Sequence, residues 1–443
     1  MKKQALFILT AAILCAAFVS CGGKQSGTSG SQAIVVNNQM VGRADAPIEI
    51  TFQPDPGHWL TSTDSGVASY FEKKARAWAE AHPDVKIVPV AQSVNINDSM
   101  GKLLIQAADG NAPDFAEVDS FVLPNFKQYL QPLDDVLAEK GIDKASWFPF
   151  AQEGVTYNGK FVALWHTTDV RVLYYNKALV PNPPKTWEEL FSLGQELKAK
   201  DYTPLLYPAG RNETTSCDIL PWFWSQGGSL VDGSGNPVFD QGNNRTYLLN
   251  TLAFLKRTID SGISPARVTT FGTDSDMNNE VVAGKVAMFV GGSWLSSQLR
   301  TIMGDKEFSD TWGLAQIPMP QGGKRVSTAG GWTLAVFTKD DQKRKLAADF
   351  AISCYIDDAA MDEYSSISGQ LPCRSTIYEK SDFFKNDPVL VAYAKELEFA
   401  RVRPGVEIYP AISQEFQVAI SDVITGAATP EAALRIMSQN ISQ

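Results

Sequence analysis

The sequence contains few of the residues that bind metals or form disulfide scaffolds. Its 443 residues include 3 histidines and 5 cysteines, too few for a metal-rich or disulfide-stapled protein. The histidines, His58, His82 and His166, lie far apart in the chain, and neither a His-Glu-x-x-His nor a Cys-x-x-Cys motif occurs. The sequence therefore predicts no metal ion and no cofactor.

An excess of positive charge is also absent. The 49 acidic residues outnumber the 39 basic ones and give a net charge of −10, which argues against binding to nucleic acid. No Gly-x-Ser-x-Gly turn is present, and no Gly-Lys pair continues into Ser or Thr as a phosphate-binding loop requires. With 44% hydrophobic and 20% charged residues, the composition is that of an ordinary globular protein.

One apolar run stands at the N-terminus, over residues 5–19, directly after Met1-Lys2-Lys3. It is too short to span a membrane comfortably, and a basic start before such a run is typical of a signal sequence. The sequence therefore predicts an exported protein.

The end of this run, Phe18-Val19-Ser20-Cys21, resembles a bacterial lipobox. The resemblance implies a signal peptide over residues 1–20 and diacylation of Cys21. The Gly- and Ser-rich stretch that follows predicts a flexible tether over residues 21–45. The alternative is an ordinary signal peptide in which Cys21 is incidental.

Three more cysteines, Cys217, Cys354 and Cys373, lie in the exported part of the chain. Because their number is odd, at least one thiol is unpaired. Cys354 and Cys373 could pair in an oxidising compartment, and the sequence leaves this open.

The body of the chain alternates strand and helix patterns. Strands are predicted over residues 48–52 and 85–90, and helices over residues 67–81 and 100–108. This βαβα order predicts an α/β fold with a parallel sheet covered by helices on both faces. Further along, a capping box at Thr186 and Glu189 opens a predicted helix. Later strands are predicted over 286–290 and 333–337, and a helix over 346–356.

Four segments together carry a resemblance to a known family. They are Tyr157-Asn158-Gly159-Lys160-Phe161, Leu173-Tyr174-Tyr175-Asn176-Lys177 with Pro183-Pro184-Lys185-Thr186-Trp187-Glu188-Glu189, Gly284-Lys285-Val286-Ala287-Met288 through Gly292-Ser293-Trp294, and Gly330-Gly331-Trp332. In this order they resemble the extracellular solute-binding proteins of ABC importers, and most of all the sugar-binding branch that includes maltose-binding protein.

The resemblance implies two α/β lobes around a ligand cleft. Lobe one is expected to comprise residues 46–167 plus 331–371, and lobe two residues 172–327 plus 376–443. Three crossings near 167–172, 327–331 and 371–376 are expected to act as hinges. The implied function is capture of a mono- or oligosaccharide by a monomer without catalytic activity. The monomer would be lipid-anchored on the periplasmic side of the cytoplasmic membrane, and it would deliver the sugar to the permease and ATPase of an importer.

The same resemblance implies ligand contacts by three carboxylates and two tryptophans, with a glycine pair at a crossing: Asp55, Asp119, Asp169, Trp294, Trp332, Gly330 and Gly331. An aromatic position of the family is replaced by Ser413, and Tyr409 could compensate. Trp222 and Trp224, two residues apart, would share one face of a strand, so one of them is a candidate for the cleft. Arg374, near a crossing, could contact the ligand or form a structural ion pair.

These residue types suit a sugar because an indole covers the apolar face of a pyranose while carboxylates accept hydrogen bonds from its hydroxyl rim. Taken singly, each tryptophan is expected in the core more often than at a ligand. Two other functions stay open. An exported glycoside hydrolase would use two carboxylates across the scissile bond, and Asp119 and Asp169 are the candidates. A surface adhesin would share the anchor but would have no need of hinges.

The lipobox interpretation is tested by Cys21→Ser. Because no other cysteine follows the apolar run closely, this substitution removes the thiol that would be acylated. We expect metabolic labelling with a fatty acid to mark the wild type and not the variant. Equal labelling of both proteins would overturn the lipoprotein prediction.

Overall fold

A computed structural model of the protein describes residues 33–92 and 96–442. The predicted signal peptide, Cys21 and residues 22–32 of the predicted tether lie outside the described residues. The strands are β1 (Val35–Asn37), β2 (Met40–Gly42), β3 (Ile48–Gln53), β4 (Val85–Pro89), β5 (Phe115–Asp119), β6 (Thr156–Tyr157), β7 (Lys160–Phe161), β8 (Ala163–Asn176), β9 (Thr203–Leu206), β10 (Val286–Gly292), β11 (Trp312–Ala315), β12 (Ser327–Val336), β13 (Leu371–Pro372) and β14 (Ala400–Val402).

The helices cover both faces of the sheet. They are α1 (Ser65–Ala81), α2 (Ile96–Ala108), α3 (Leu123–Phe126), α4 (Asp134–Glu139), α5 (Pro149–Val155), α6 (Trp187–Lys198), α7 (Glu213–Trp224), α8 (Gly242–Asp260), α9 (Asn278–Val282), α10 (Leu295–Met303), α11 (Asp305–Thr311), α12 (Asp341–Ala351), α13 (Asp358–Ser368), α14 (Ser375–Lys380), α15 (Asp382–Asn386), α16 (Pro388–Leu397), α17 (Tyr409–Thr425) and α18 (Pro430–Ile441). Within the described residues, no helix is both long and apolar enough to cross a membrane.

The first lobe is built on a parallel core of three strands. β3 pairs in parallel with both β4 and β5, which confirms the predicted parallel sheet. Strand alternation directs Phe52 and Phe115 to one face, where their rings stack with centroids 4.1 Å apart. The capping box predicted at Thr186 and Glu189 is present and opens α6.

Two long strands, β8 and β12, run antiparallel through both lobes. Residues 163–170 of β8 pair with β12, while residues 171–176 pair with β10 and β11 of the second lobe. β13 adds a short third crossing beside β8, with Leu371 opposite Thr168. The three expected hinge segments therefore lie side by side.

The N-terminal boundary differs from the expectation. Residues 35–42, assigned to the tether, form a hairpin in which β2 pairs with β4, Val41 lying opposite Ile87. Val41 is fully buried, so burial of apolar side chains at the sheet edge holds this segment in place. The body of the first lobe thus begins about ten residues before position 46.

The expected strand at Trp222 and Trp224 is wrong, because both residues lie on helix α7. Asn212 caps this helix through its side chain, and every residue from Thr215 to Trp224 is buried. Since a fully buried helix shows no amphipathic stripe, two-residue spacing gave a misleading strand pattern. Trp222 packs in the core against Phe254.

All three remaining cysteines are buried free thiols. The structure therefore has no bridge between Cys354 and Cys373. Burial raises the pKa of the Cys373 thiol well above its ordinary value, which keeps the thiol protonated and unreactive.

The close contact between β8 and β12 predicts that any side chain at position 331 lowers the stability of the fold. Its φ of +124° is unfavourable for other residues, and a Cβ would lie 1.9 Å from the carbonyl oxygen of Thr167. We expect Gly331→Ala to lower the free energy of unfolding by about 1–3 kcal/mol in urea denaturation.

Gly101→Ala is the matched control. Gly101 lies in α2 with no atom within 4 Å of an added Cβ, so alanine should stabilise the protein by about 0.5–1 kcal/mol. Equal effects of the two substitutions would contradict the proposed constraint at Gly331.

Candidate functional site

A polar cavity of about 570 Å³ lies between the two lobes. Its volume falls in the range of small-molecule sites. The first lobe contributes residues near the end of β5, and the second contributes the start of α7, the segment after β14 and one face of α17. The lining residues are Ile96, Asp119, Phe121, Arg211, Asn212, Glu213, Arg403, Pro410, Gln414, Gln417 and Val418.

Asp119 is the sequence-predicted residue that lines this cavity. It ends β5 opposite Trp332 of β12, and its carboxylate accepts a 3.2 Å hydrogen bond from the backbone N–H of Phe121. Burial raises the pKa of Asp119 to about 6. The carboxyl group therefore has few protein donors and is available to accept from a ligand.

Glu213 and Arg403 form the wall contributed by the second lobe. Arg403 Nη1 donates to Glu213 Oε1 at 2.9 Å, Tyr409 Oη donates to the same oxygen at 2.6 Å, and Ser413 Oγ donates to Oε2 at 2.5 Å. Tyr409 is fully buried, so it positions Glu213 by its hydroxyl and does not supply an exposed aromatic surface.

The two walls contact each other at Phe121. The Arg403 guanidinium lies over the ring of Phe121, 4.6 Å from its centroid, an arrangement that is favourable between a cation and an aromatic face. The sequence analysis did not identify Arg403, Glu213 or Phe121. They belong to no recognised motif, so no local pattern in the sequence identifies them.

Asp169 lies at the crossing and adjoins this wall. It forms an ion pair with Arg171 on β8. A Cβ at Gly330 would lie 3.0 Å from Asp169 Oδ2 and 3.4 Å from Arg403 Nη2. The small residue at 330 therefore gives these two charged side chains room beside the hinge strands.

Arg171 connects this crossing to a pair of buried carboxyl groups. Its Nε donates to Asp218 Oδ1 at 2.8 Å, and Asp274 Oδ2 accepts from the backbone N–H of Gly292 at 3.1 Å. Burial and the adjacent Asp274 carboxylate raise the pKa of Asp218 well above its ordinary value. Burial raises the pKa of Asp274 as well, so the two adjacent carboxyl groups favour sharing one proton, with Asp218 as its main holder.

The two tryptophans assigned to the site are half-buried and do not line the cavity. The Arg171 guanidinium lies 4.5 Å from the centroid of Trp294, whose ring packs over Gly292. Trp332 contacts His58 edge to face at 5.5 Å. Through its strand pairing with Asp119, Trp332 stands next to the cavity, whereas Trp294 belongs to the hinge network.

Asp55 and Arg374 are mainly engaged with the protein. Asp55 caps the turn after β3 by accepting from the backbone N–H of Gly57 at 2.8 Å. Arg374 is buried, donates to Ser146 Oγ at 2.9 Å and pairs with Asp358 at 2.7 Å. Of the two roles open for Arg374, the contacts match the structural ion pair.

A second depression, of about 650 Å³, lies on the second lobe between Pro183–Lys185 and α16. It is lined by one lobe, so movement about the hinges would not close it around a ligand. The cavity between the lobes is therefore the stronger candidate site.

The protonated state of Asp218 makes a prediction about stability. The folded protein keeps the proton of Asp218, whereas the unfolded chain releases it above the ordinary aspartate pKa of about 4. The free energy of unfolding of the wild type therefore falls as the pH rises above about 4. A carboxamide at this position donates the same hydrogen bond without titrating. We therefore expect Asp218→Asn to gain stability relative to wild type between about pH 5 and about pH 8 in urea denaturation.

Asp218→Ala is the comparison variant, since it removes the acceptor of Arg171 Nε while Arg171 keeps its ion pair with Asp169. We expect it to lose about 1–3 kcal/mol, the cost of an unsatisfied buried donor. A relative loss of stability by Asp218→Asn at the higher pH would contradict the assigned protonation state.

Comparison with known proteins identifies relatives that are all named as binding proteins. A protein of Deinococcus radiodurans named a probable ABC transporter-binding protein is 27% identical, over 84% of this chain and 89% of its own. A maltooligosaccharide ABC transporter solute-binding lipoprotein of Streptococcus pneumoniae is 24% identical over 82% and 83%. The solved sugar-binding protein MalE of Xanthomonas citri superposes with a TM-score of 0.74 at 21% identity, over 89% of this chain and 96% of MalE.

The structural match to MalE confirms the predicted α/β fold with two lobes. The family model of the bacterial extracellular solute-binding proteins matches residues 73–392, well over half of the chain. The chain therefore belongs to the bacterial extracellular solute-binding proteins.

Proposed function

We propose that this protein is the lipid-anchored binding component of an ABC importer and that it captures a mono- or oligosaccharide between its lobes. The observation that carries the proposal is the interlobe cavity, in which Asp119 from one lobe faces Glu213 and Arg403 from the other. The names of the relatives in Deinococcus radiodurans and Streptococcus pneumoniae point to the same function.

The polar groups of the cavity match the hydroxyl rim of a sugar. Carboxylates such as Asp119 and Glu213 accept hydrogen bonds from hydroxyls, while Arg403 and the carboxamides of Gln414 and Gln417 donate to hydroxyl and ring oxygens. Each hydrogen bond to a charged group contributes about 1.5–3 kcal/mol. Three or four of these would supply the roughly 8 kcal/mol of micromolar binding.

Aromatic and apolar surface would cover the faces of the sugar ring. Phe121 lines the cavity and Trp332 lies beside it. Burying about 100 Å² of apolar surface contributes roughly 2.5 kcal/mol. The ligand would thus gain its orientation from the polar walls and part of its affinity from these rings.

Binding would favour the closed arrangement of the lobes. A sugar in the cavity contacts both walls only when they are close together, so its binding energy shifts the population toward closure. In the proposed cycle, the closed form is the one presented to the permease. The lipid on Cys21 and the residues before β1 would hold the protein near that permease.

Calorimetry with variants tests the site once a thermal-shift panel of sugars has identified a ligand. We expect Trp332→Ala and Phe121→Ala each to weaken binding by about 1–3 kcal/mol, the size of lost ring contact. Tyr157→Ala is the control, because Tyr157 is an exposed aromatic residue of β6, outside the cavity. Its affinity should equal that of wild type.

Two results would contradict this proposal. Unchanged affinity in both variants, with lowered melting temperatures, would make Trp332 and Phe121 structural residues only. Hydrolysis of the bound sugar, lost in Asp119→Asn or Asp169→Asn, would move the protein to the glycoside hydrolases.

A further inference from the structure

Three buried side chains of the first lobe converge on one point. His58 follows β3, Glu117 lies on β5 and His166 lies on β8, and their exposed fractions are 5%, 0% and 2%. Glu117 Oε1 is 3.0 Å from His58 Nδ1 and 2.8 Å from His166 Nε2. All three atoms lie within 4.8 Å of one another.

The position of His166 results from an irregularity in the sheet. Across the β8 and β12 pair, Thr167 faces Trp332 and Trp165 faces Thr333, which leaves His166 as an extra residue without a pairing partner in β12. Such a bulge redirects a side chain and is common beside functional sites. Here it brings His166 onto Glu117, although the two residues are far apart in the sequence.

The donor set is one that binds transition metals. Two imidazole nitrogens and a carboxylate oxygen are typical ligands of zinc and of related divalent ions. Because bonds to zinc are about 2.0–2.1 Å long and arranged tetrahedrally, ligand atoms around the ion lie about 3.3 Å apart. The separations of 3.0 and 2.8 Å from Glu117 Oε1 are a few tenths of an ångström shorter, so the three side chains would move apart slightly to admit the ion.

Hydrogen bonding alone accounts poorly for His166. Its Nε2 lies 2.8 Å from Glu117 Oε1 but is poorly aligned for donation to that oxygen, and its buried Nδ1 has no hydrogen-bond partner among the described residues. Buried polar groups without partners are rare and costly. A metal ion bonded to Nε2 would satisfy that nitrogen, and Nδ1–H would then donate to a water molecule.

The surrounding contacts orient the other two ligands. Glu117 Oε2 accepts from the backbone N–H of Asp55 at 2.5 Å. His58 Nε2 lies 3.0 Å from Gln370 Nε2, and with a metal ion on Nδ1 the Gln370 carboxamide would turn so that its Oε1 accepts from Nε2–H. Contacts of this kind, on the far side of a ligand, fix its orientation at metal centres. The rings of Tyr355 and Trp332 pack on His166 and His58 respectively.

We propose that His58, Glu117 and His166 bind one divalent transition metal ion of the zinc class, with water completing its coordination. The ion would neutralise the buried Glu117 carboxylate and connect β3, β5 and β8. Because Trp332 contacts His58 and pairs with Asp119 of the cavity wall, the ion would stabilise the strands that carry one wall of the ligand cavity. This inference is independent of the identity of the transported solute.

The test uses the full chain, purified without a polyhistidine tag, stripped with a chelator and dialysed against micromolar Zn²⁺ or Co²⁺. We expect about one ion per chain by elemental analysis, and a higher melting temperature with Zn²⁺ than with chelator. His166→Ala should bind less than a tenth as much metal. His82→Ala, which removes the remaining histidine at the end of α1, should bind as much as wild type.

Two results would overturn the proposal: wild-type protein that binds no metal, or a folded His166→Ala variant that binds as much metal as the wild type. In either case the three side chains would form a hydrogen-bonded His-Glu-His cluster without a metal. If His166→Ala does not fold, the visible spectrum of the Co²⁺-loaded wild type decides the question. Absorption bands of cobalt bound to nitrogen and oxygen ligands support the site, and their absence contradicts it.

Discussion

The structure depends on the antiparallel contact of β8 and β12, the two strands that both lobes share. Backbone hydrogen bonds from Ala163 to Val170 fix the register, and at Gly331 the chains approach too closely for any side chain. Since the site residues follow from this register, a shift by one residue would move Trp332 and Asp169 to the opposite faces of their strands. This shared crossing therefore positions a cleft whose walls belong to separate lobes.

Charge, more than apolar surface, organises the region around the crossing. Arg171 joins Asp169 at the cleft to the Asp218 and Asp274 pair in the interior, and Arg403 joins Glu213 to the ring of Phe121. Buried ions are costly unless they are paired and hydrogen-bonded. The retention of so many of them beside the hinge fits a site that must recognise a polar solute.

Much of the fold could be predicted from the sequence because its signals are local. The strand at 48–52, the helix at 67–81 and the capping box at Thr186 each follow from periodicity or a short motif. The helix containing Trp222 was mistaken for a strand, because complete burial removes the period that distinguishes the two. The β1 and β2 hairpin was missed because its strands are only three residues long.

The site was less predictable because tertiary folding assembles it. Asp119 was predicted from the resemblance to a family. Arg403 and Glu213 were not, because they lie about 190 residues apart in the sequence and meet only in the folded chain. Nothing local distinguishes Glu213 from a solvated acid at a helix start. Likewise, the bulge that brings His166 to Glu117 depends on strand register and leaves no sequence pattern.

Small-angle X-ray scattering tests the central claim, a cleft that closes on its solute, most directly. The radius of gyration would be measured without and with a saturating concentration of the sugar that gives the largest thermal shift. The account predicts a smaller radius with the sugar, because both walls must contact it at once. An unchanged scattering profile, under conditions where calorimetry shows the sugar bound, would contradict it.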